Sequence, residues 1–214
     1  MDTFEYAESR KLFDRACEVI PCGIYGHFSP APLSRPTAFP LFAASARGSR
    51  FWDIDGNEFI DYMCAYGPMI LGYANPVVDE AFRHQVQRAD TVTLASPRMI
   101  ELAELLVDRV AIADWAFLAK NGADVTSYAV TIARAVTGRS KIVAIKGGYH
   151  GTQPWMQAPG HHGVSEDDHR NYIRIPWNDY AALEKVVTEQ GDDIAGFISS
   201  PYHHPIFQDN ALPA

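Results

Sequence analysis

The sequence predicts an α/β protein with a mainly parallel sheet, because short buried strands alternate with amphipathic helices along the chain. Residues 142–145 are apolar on both faces, as a strand that is covered on both sides requires. Residues 122–137 place Val, Ala and Ile side chains on one helical face, and Gly138 is a typical helix-ending residue. The order strand, helix, strand then returns between residues 172 and 199, which adds a further β–α–β unit.

The N-terminal part of the chain has a different pattern. Residues 4–20 predict an amphipathic helix that Pro21 closes. Residues 21–48 are rich in Pro, Ser and Ala and predict an ordered loop. Residues 50–62 predict a hairpin with Asp55-Gly56 at its turn. This part therefore contributes a helix, a loop and a hairpin before the alternating pattern begins.

Caps and turn residues mark the remaining elements. Asn75-Pro76 and Ser96-Pro97 each combine an N-cap residue with a proline at the first helical position, so each predicts the start of a helix. Residues 115–119 predict a strand before the helix of residues 122–137, and residues 152–171 predict a long polar loop. The last helix is expected to be capped near Asn178.

Composition and charge limit the possible functions. The chain has 214 residues, of which 47% are hydrophobic, so it can bury a full core. Its net charge of −8 argues against nucleic acids and anionic membranes as partners, and no apolar run reaches membrane-spanning length. The three cysteines lack metal-type spacing and the N-terminus lacks an export signal, so we expect reduced thiols and a cytoplasmic location. Adjacent histidines such as His161-His162 and His203-His204 diverge too far to hold one ion, so no metal is expected.

Two segments predict a binding site for a phosphorylated aromatic ligand. Asn121, Gly122 and Ala123 lie at the start of a helix, where unpaired N–H groups and the helix dipole favour an anion. Tyr149 and His150 follow the next strand, at the edge where ligands of open α/β sheets bind. The helix start would hold a phosphate, and the aromatic residue would contact a flat ring.

The same stretch is similar to the cofactor-binding core of the class III pyridoxal-phosphate-dependent aminotransferases, in the subgroup around glutamate-1-semialdehyde aminomutase. That family has a Ser-Gly-Thr-Glu-Ala loop, an Arg-Ala-x-Thr-Gly-Arg-x-Lys-Ile helix end and a Tyr-His-Gly after the next strand. The corresponding segments of this chain, in order, are residues 121–125, 134–142 and 149–151. Two upstream segments, 51–62 and 67–72, match further signatures of the family, and several ordered motifs are more specific than any one of them.

The resemblance implies a fold type I enzyme that uses pyridoxal 5′-phosphate. Residues 1–74 would contribute to the small domain and the substrate pocket, and residues 75–214 would form the first part of the cofactor-binding large domain. Family members are about twice as long, which implies that residues 1–214 are an N-terminal half and are inactive by themselves. The Schiff-base lysine would lie beyond Ala214, because Lys120 and Lys146 do not match its position. No catalytic residue is therefore expected in this chain.

The resemblance also assigns roles to residues of the site. Asn121, Gly122 and Ala123 would hold the phosphate, although Ala123 lacks the hydroxyl of the family's threonine. Tyr149 would stack on the pyridine ring, with His150 beside it.

The substrate is expected to differ from that of the aminomutases. The aminomutases have a carboxylate-binding arginine shortly after a Pro-Gly-Gly, whereas Gly23 is followed by a stretch with Tyr25, His27 and Phe28 and without arginine. Ser200 also replaces a family glutamate. We expect Tyr25, His27 and Phe28 to line a pocket for an amine, an amino sugar or another larger carbonyl compound.

The leading functional hypothesis is transamination between an amine or amino-acid donor and a carbonyl acceptor, by a homodimer. One alternative is an aminomutase of the glutamate-1-semialdehyde type. A second alternative is a relative without the lysine that acts as a binding module. A Rossmann-type nucleotide binder ranks last, because no G-x-G-x-x-G motif follows a strand.

Overall fold

The computed structural model describes residues 4–24 and 40–201 of the chain. Contacts between residues divide the chain into two units, Met1–Ala95 and Ser96–Ala214. The expectation that a cofactor-binding domain begins near residue 75 concerns the roles of the segments and stays a prediction.

The described part of the first unit contains two α-helices and a small antiparallel sheet. The predicted N-terminal helix and hairpin are confirmed, as is the helix that starts after Asn75, whose side chain accepts hydrogen bonds from the N–H groups of Val77 and Val78. A strand inside the expected loop of residues 21–48 was not predicted, because its sequence is Ala-Ala-Ser-Ala-Arg and lacks a β pattern. The elements are α1 (Ala7–Val19), β1 (Ala43–Arg47), β2 (Arg50–Asp53), β3 (Glu58–Ile60) and α2 (Pro76–Arg88), with sheet order β1-β2-β3.

The hairpin turn supplies the N-terminal cap of helix α1. Tyr6 occupies the N-cap position and makes no side-chain cap hydrogen bond. Instead, Asp55 accepts hydrogen bonds from the N–H groups of Glu8 at 2.6 Å and Ser9 at 2.9 Å, and from the Ser9 hydroxyl at 2.5 Å. Asp53, which is 1% exposed, holds the turn by accepting hydrogen bonds from the N–H groups of Asp55 and Asn57. The helix and the hairpin are thus joined by polar contacts between residues far apart in sequence.

The second unit contains a three-stranded parallel sheet with helices. Its strands lie in the order β5-β4-β6, so the predicted parallel sheet is confirmed. The central strand β4 is buried over its last four residues, which explains the apolar run that predicted it. The elements are α3 (Pro97–Arg109), α4 (Gly122–Thr137), β4 (Lys141–Ile145), α5 (Glu166–His169), β5 (Tyr172–Ile175), α6 (Tyr180–Gln190) and β6 (Ile194–Ile198).

The core of this unit lies between the sheet and helix α6. Val143, Ile145 and Ile175 form its buried centre, and side chains of α6 such as Leu183 pack against them. On the other face, α4 approaches β6 closely, since a Cβ built on Gly196 would lie 3.7 Å from the Ala133 Cβ. Helix α4 ends as predicted at Gly138, which has φ +69°. The side chains of β4 and β5 thus alternate between a face toward α6 and a face toward α4.

Three sequence-based expectations need correction. Residues 115–119 form no strand, because no described strand pairs with them; the Phe117 ring instead contacts Tyr128 of α4, with centroids 4.6 Å apart. The cap of α6 is Asp179 rather than Asn178, because the Asp179 carboxylate accepts a hydrogen bond from the Ala182 N–H group. The expected loop of residues 152–171 contains the short helix α5, which a capping box stabilises.

None of the helices in residues 4–24 and 40–201 combines the length and the hydropathy that crossing a bilayer requires.

Candidate functional site

Helix α4 begins with the residues predicted to hold a phosphate. The Asn121 side chain is its N-cap: the amide oxygen accepts a hydrogen bond from the Asp124 N–H group, and the amide nitrogen donates to the Asp124 carboxylate, both at 3.0 Å. The N–H groups of Gly122 and Ala123 belong to the first turn and have no acceptor within the helix. A Cβ built on Gly122 would meet no atom within 4 Å. The helix start therefore offers two backbone donors without an acceptor in the helix and open space beside Gly122, while the Asn121 amide is engaged with Asp124.

The segment after β4 lies against this helix start. The Thr126 hydroxyl donates a hydrogen bond to the His150 carbonyl at 2.7 Å. Gly151 has φ +129°, and a Cβ on it would lie 2.7 Å from the Ala123 Cβ, so only glycine fits there. The structure thus brings together the two halves of the site that the sequence predicted separately. Thr126 was missed by sequence reasoning, because a threonine within a helix gives no signal of a long-range partner.

Tyr149 and His150 differ in their surroundings. Tyr149 is 73% exposed, so its ring can receive a ligand. His150 is half-buried, and its ring lies 3.1 Å from the position a Gly148 Cβ would take. Tyr149 also lines a cleft of about 430 Å³, a size that suits a small molecule. The residues lining this cleft are Lys146, Gly147, Gly148, Tyr149, Gly151, Met156, Gln157, Ala158, Pro159 and Arg174.

The 3-10 turn at residues 154–156 forms one wall of the cleft. Met156 is buried, and its sulfur would lie 2.7 Å from a Cβ on Gly151. The Trp155 ring stacks on Tyr172 of β5, with centroids 4.6 Å apart. Arg174 donates hydrogen bonds to the Trp155 carbonyl at 2.7 Å and the Gln157 carbonyl at 2.9 Å. The strand β5 therefore fixes this turn against the segment that carries Tyr149.

Burial shifts the pKa values of two groups on β5. Burial lowers the pKa of Arg174 below its usual value, and the Tyr172 hydroxyl opposes this only in part. Burial raises the pKa of Tyr172, against the opposing influence of Arg134, whose guanidinium lies 5.2 Å from the ring centroid, and of Arg174. Both groups keep their ordinary neutral-pH forms, a cationic guanidinium and a neutral phenol.

The remaining predicted residues lie at several places. Lys146 lines the cleft, and its N–H group continues the sheet by donating to the Ile175 carbonyl at 2.9 Å. Lys120 directly precedes the Asn121 cap of α4. Tyr25, His27 and Phe28 lie outside the described residues, as do His203 and His204. Across residues 4–24 and 40–201, no three His, Cys, Asp or Glu side chains are arranged to hold a metal ion.

A second cleft, of about 380 Å³, lies at the carboxyl ends of all three parallel strands. Ile145, Ile175 and Phe197 contribute apolar walls, and Ser199 and Ser200 contribute polar atoms. Ser200, which replaces the family glutamate noted above, therefore faces the sheet edge where ligands of such folds bind.

The comparison with family models decides the identity of the chain. The model of aminotransferase class-III matches residues 33–202. The chain belongs to the class-III aminotransferase family. The resemblance drawn from its motifs is therefore confirmed.

Class-III relatives agree with this assignment. An aminopentol aminotransferase of Sphingopyxis macrogoltabida is 42% identical, over 95% of this chain and 47% of the relative. A glutamate-1-semialdehyde 2,1-aminomutase of Methanothermobacter thermautotrophicus is 36% identical, over 91% of this chain and 47% of the relative. The chain thus spans about half the length of the curated relatives it matches.

A solved structure has the same fold. The FumI protein of Sphingopyxis sp. MTA144, in its PLP internal aldimine form, is 42% identical and superimposes with a TM-score of 0.84, over 91% of this chain and 46% of that protein. The predicted fold type I is confirmed by this match together with the parallel sheet. The prediction of pyridoxal phosphate as the cofactor of the family is likewise confirmed.

Proposed function

We propose that the whole protein catalyses pyridoxal-phosphate-dependent transamination, in which an amino group passes from an amine donor to a carbonyl acceptor. The observation that carries this proposal is the class-III match over residues 33–202, which spans the helix start and the Tyr149 segment described above. The contact between these two parts of the site supports it.

The described residues fit the cofactor. The N–H groups of Gly122 and Ala123 would hold the phosphate, because they lack acceptors within the helix at the positive end of the α4 dipole and the space beside Gly122 is open. Tyr149 would stack on the pyridine ring, and such stacking contributes about 0.5–1.5 kcal/mol beyond burial of area. The Asn121 amide would reach a phosphate only after leaving Asp124, so the backbone carries most of this binding.

The residues around the cofactor keep it in place and limit water. When bound, pyridoxal phosphate supplies an aldehyde for the amino group and a ring that accepts electrons. Thr126 donates a hydrogen bond to the His150 carbonyl and so holds the segment that carries Tyr149 against α4. The buried Met156 closes the space behind Gly151 to solvent.

We infer that the donor is an amine rather than glutamate-1-semialdehyde. The absence of arginine directly after Gly23 supports this inference, because it removes the carboxylate-binding group of the aminomutase subgroup. Ser200 removes a further charged group, the glutamate that the family has at this position. The relative named an aminopentol aminotransferase, which is 42% identical, also supports it.

We further propose that the protein is a cytoplasmic homodimer. Active sites of this fold type lie at a two-fold interface, and the described cysteines form no disulfides. Sedimentation at assay concentration would test the dimer, and an active monomer would contradict it.

Substrate profiling tests the activity. The protein loaded with pyridoxal phosphate should transfer the amino group of aliphatic amines and amino alcohols to a keto acid, detected as the new amino acid. The same preparation without pyridoxal phosphate is the control. Faster conversion of glutamate-1-semialdehyde than of any amine would favour the aminomutase alternative, and no amino transfer to any acceptor would reject the proposal.

A further inference from the structure

His169, the last residue of the short helix α5, contacts the guanidinium of Arg174 on β5. Its Nδ1 atom lies 3.2 Å from the Arg174 Nη1. A guanidinium has N–H donors and no acceptor, so Nδ1 accepts this hydrogen bond and carries no proton. The proton of the ring is then on Nε2, which is buried and has no partner among residues 4–24 and 40–201. The contact with Arg174 therefore requires a neutral His169.

Arg174 connects His169 to the wall of the cleft of about 430 Å³. Its Nη2 donates to the Trp155 carbonyl at 2.7 Å and to the Gln157 carbonyl at 2.9 Å, while its Nη1 faces His169. None of the acidic side chains that the structure describes forms an ion pair with Arg174. The guanidinium is thus oriented by three neutral acceptors, of which two belong to the turn at residues 154–157 and one to His169.

We propose that His169 is a positioning residue, which in its neutral form orients Arg174 and thereby holds the turn at residues 154–157 in place as a wall of the cleft. Proton uptake by His169 would replace the accepted hydrogen bond with two cations 3.2 Å apart. Like charges that close and partly removed from water repel each other strongly. The inference deepens the proposed function, because it names a residue that shapes the proposed site and the direction in which pH acts on it.

The charges on α5 favour a proton on His169. Asp168 is its acidic neighbour, and hydrogen bonds from the Ser165 hydroxyl and N–H group hold the pKa of Asp168 below its usual value. Its carboxylate is therefore ionised across the pH range in which histidines titrate. The remaining charged side chains on or next to this helix are exposed; they are Glu166, Asp167 and Arg170.

The charges on the sheet oppose this proton. Arg174 is in direct contact with His169. Lys146 adds a second cation on the same face of the sheet, because it follows Ala144, the register partner of Arg174, by two residues. Tyr172 of β5 is neutral, since burial raises its pKa, and the turn at residues 154–156 contains no charged residue. Proton uptake by His169 thus brings a third positive charge to this face.

The direction of the pH effect follows from these contacts. Histidines change charge between about pH 5 and pH 8. At the upper end of this range His169 is neutral and Arg174 keeps its three acceptors. As the pH falls, the cationic ring repels Arg174, and the turn loses the guanidinium that holds its carbonyls. The Met156 and Gln157 N–H groups, which donate to the Gln153 and Pro154 carbonyls within the turn, then become more open to exchange with solvent.

Amide hydrogen exchange of the peptide that spans residues 153–158, in the whole protein with and without pyridoxal phosphate, tests this role. The comparison is between the wild type and His169→Gln, whose side-chain oxygen accepts from Arg174 but takes up no proton. At pH 8 the two proteins should exchange at the same rate. At pH 5.5 the wild type should exchange about tenfold faster than the variant, as expected for a lost charge-assisted hydrogen bond. Comparing proteins at one pH cancels the intrinsic pH dependence of exchange.

Two further variants and a binding measurement complete the test. His169→Lys carries a permanent charge and should exchange rapidly at both pH values. His162→Gln removes an exposed histidine of the same segment and should keep the behaviour of the wild type. Between pH 8 and pH 5.5, the affinity for pyridoxal phosphate should fall about tenfold more in the wild type than in His169→Gln. Phosphate groups titrate near pH 6 themselves, so only this difference between the proteins counts.

Three outcomes would overturn the inference. The first is equal exchange of the peptide in the wild type and His169→Gln at pH 5.5. The second is slow exchange in His169→Lys at pH 8. The third is loss of the pH dependence in His162→Gln, which would assign it to a different histidine. A protein that shows the expected exchange but binds no pyridoxal phosphate would reject the proposed function and keep the role of His169.

Discussion

Gly122 is a position where a side chain would obstruct a ligand but would not disturb the fold. A Cβ at this position would meet no atom of the chain, and a side chain at the first helical position costs the helix nothing compared with glycine. Gly122→Val should therefore fold normally and obstruct the approach of a phosphate to the helix start. We expect the affinity for pyridoxal phosphate to fall about tenfold or more, measured by absorbance titration.

Gly191 after helix α6 offers a control for this variant, because a Cβ there would make only an ordinary contact with Val187. Gly191→Val should bind pyridoxal phosphate like the wild type. If Gly122→Val keeps its thermal transition and also keeps full affinity, the phosphate does not bind at the start of α4.

Thr126 joins helix α4 to the segment that carries Tyr149. Thr126→Val removes the hydroxyl with little change in shape, so the His150 carbonyl loses its donor. We expect the free energy of unfolding in urea to fall by about 1 kcal/mol and pyridoxal phosphate to bind more weakly. The control is Thr131→Val, because the Thr131 hydroxyl donates to the Ser127 carbonyl of its own helix and has no other partner among the residues that the structure describes. Equal losses in both variants would show that the contact with His150 contributes nothing.

Among the secondary-structure elements, helix α1 depends on a cap from another element. Burial pushes the pKa of Asp55 upward, but hydrogen bonds from the Ser9 hydroxyl and from the Glu8 and Ser9 N–H groups outweigh it and hold the pKa below its usual value. Because the pKa of Asp55 is lower in the folded state, its ionised carboxylate stabilises the fold at pH values above the usual aspartate pKa. This stabilisation is lost as the pH falls through the folded-state pKa.

Asp55→Ala tests this cap. At pH 7 we expect the variant to lose about 1 kcal/mol of unfolding free energy, as for other N-caps. The difference from the wild type should shrink when the pH falls below the usual value of 3.8. Asp90→Ala removes an exposed carboxylate of the same unit and serves as the control. A difference that stays constant down to the acid transition would contradict the role of the Asp55 charge.

Helices and strands that carry their own cap residues or apolar pattern in the sequence were predicted correctly. Helix α3 begins at Pro97 after the Ser96 cap, and β5 covers Tyr172–Ile175, both as expected. The strand predicted at residues 115–119 was wrong, because an apolar stretch does not reveal whether a partner strand is present. Strand β1 was missed for the opposite reason: pairing with β2 makes a strand of residues with little intrinsic preference.

For the whole molecule, the position of the catalytic lysine is the main open prediction. Lys120 precedes the cap of α4, and Lys146 lines the cleft beside Tyr149, so neither matches the lysine that the family resemblance implies. Reduction of the holoenzyme with borohydride, followed by peptide mapping, should therefore find no pyridoxyl group on Lys120 or Lys146. A stable adduct on either residue would show that this chain supplies its own catalytic amine.

The sequence alone determined the parallel α/β class and the family, and it predicted the two segments that we propose hold the cofactor. Buried strands, helix caps and the Tyr149-His150-Gly151 motif are local patterns, and local patterns can be read directly from the chain. Only the tertiary structure decided how these pieces meet. The Thr126 contact with His150, the Asp55 cap of α1 and the shared face of Lys146 and Arg174 each join residues distant in sequence. Such contacts depend on sheet register and packing, which no local pattern encodes.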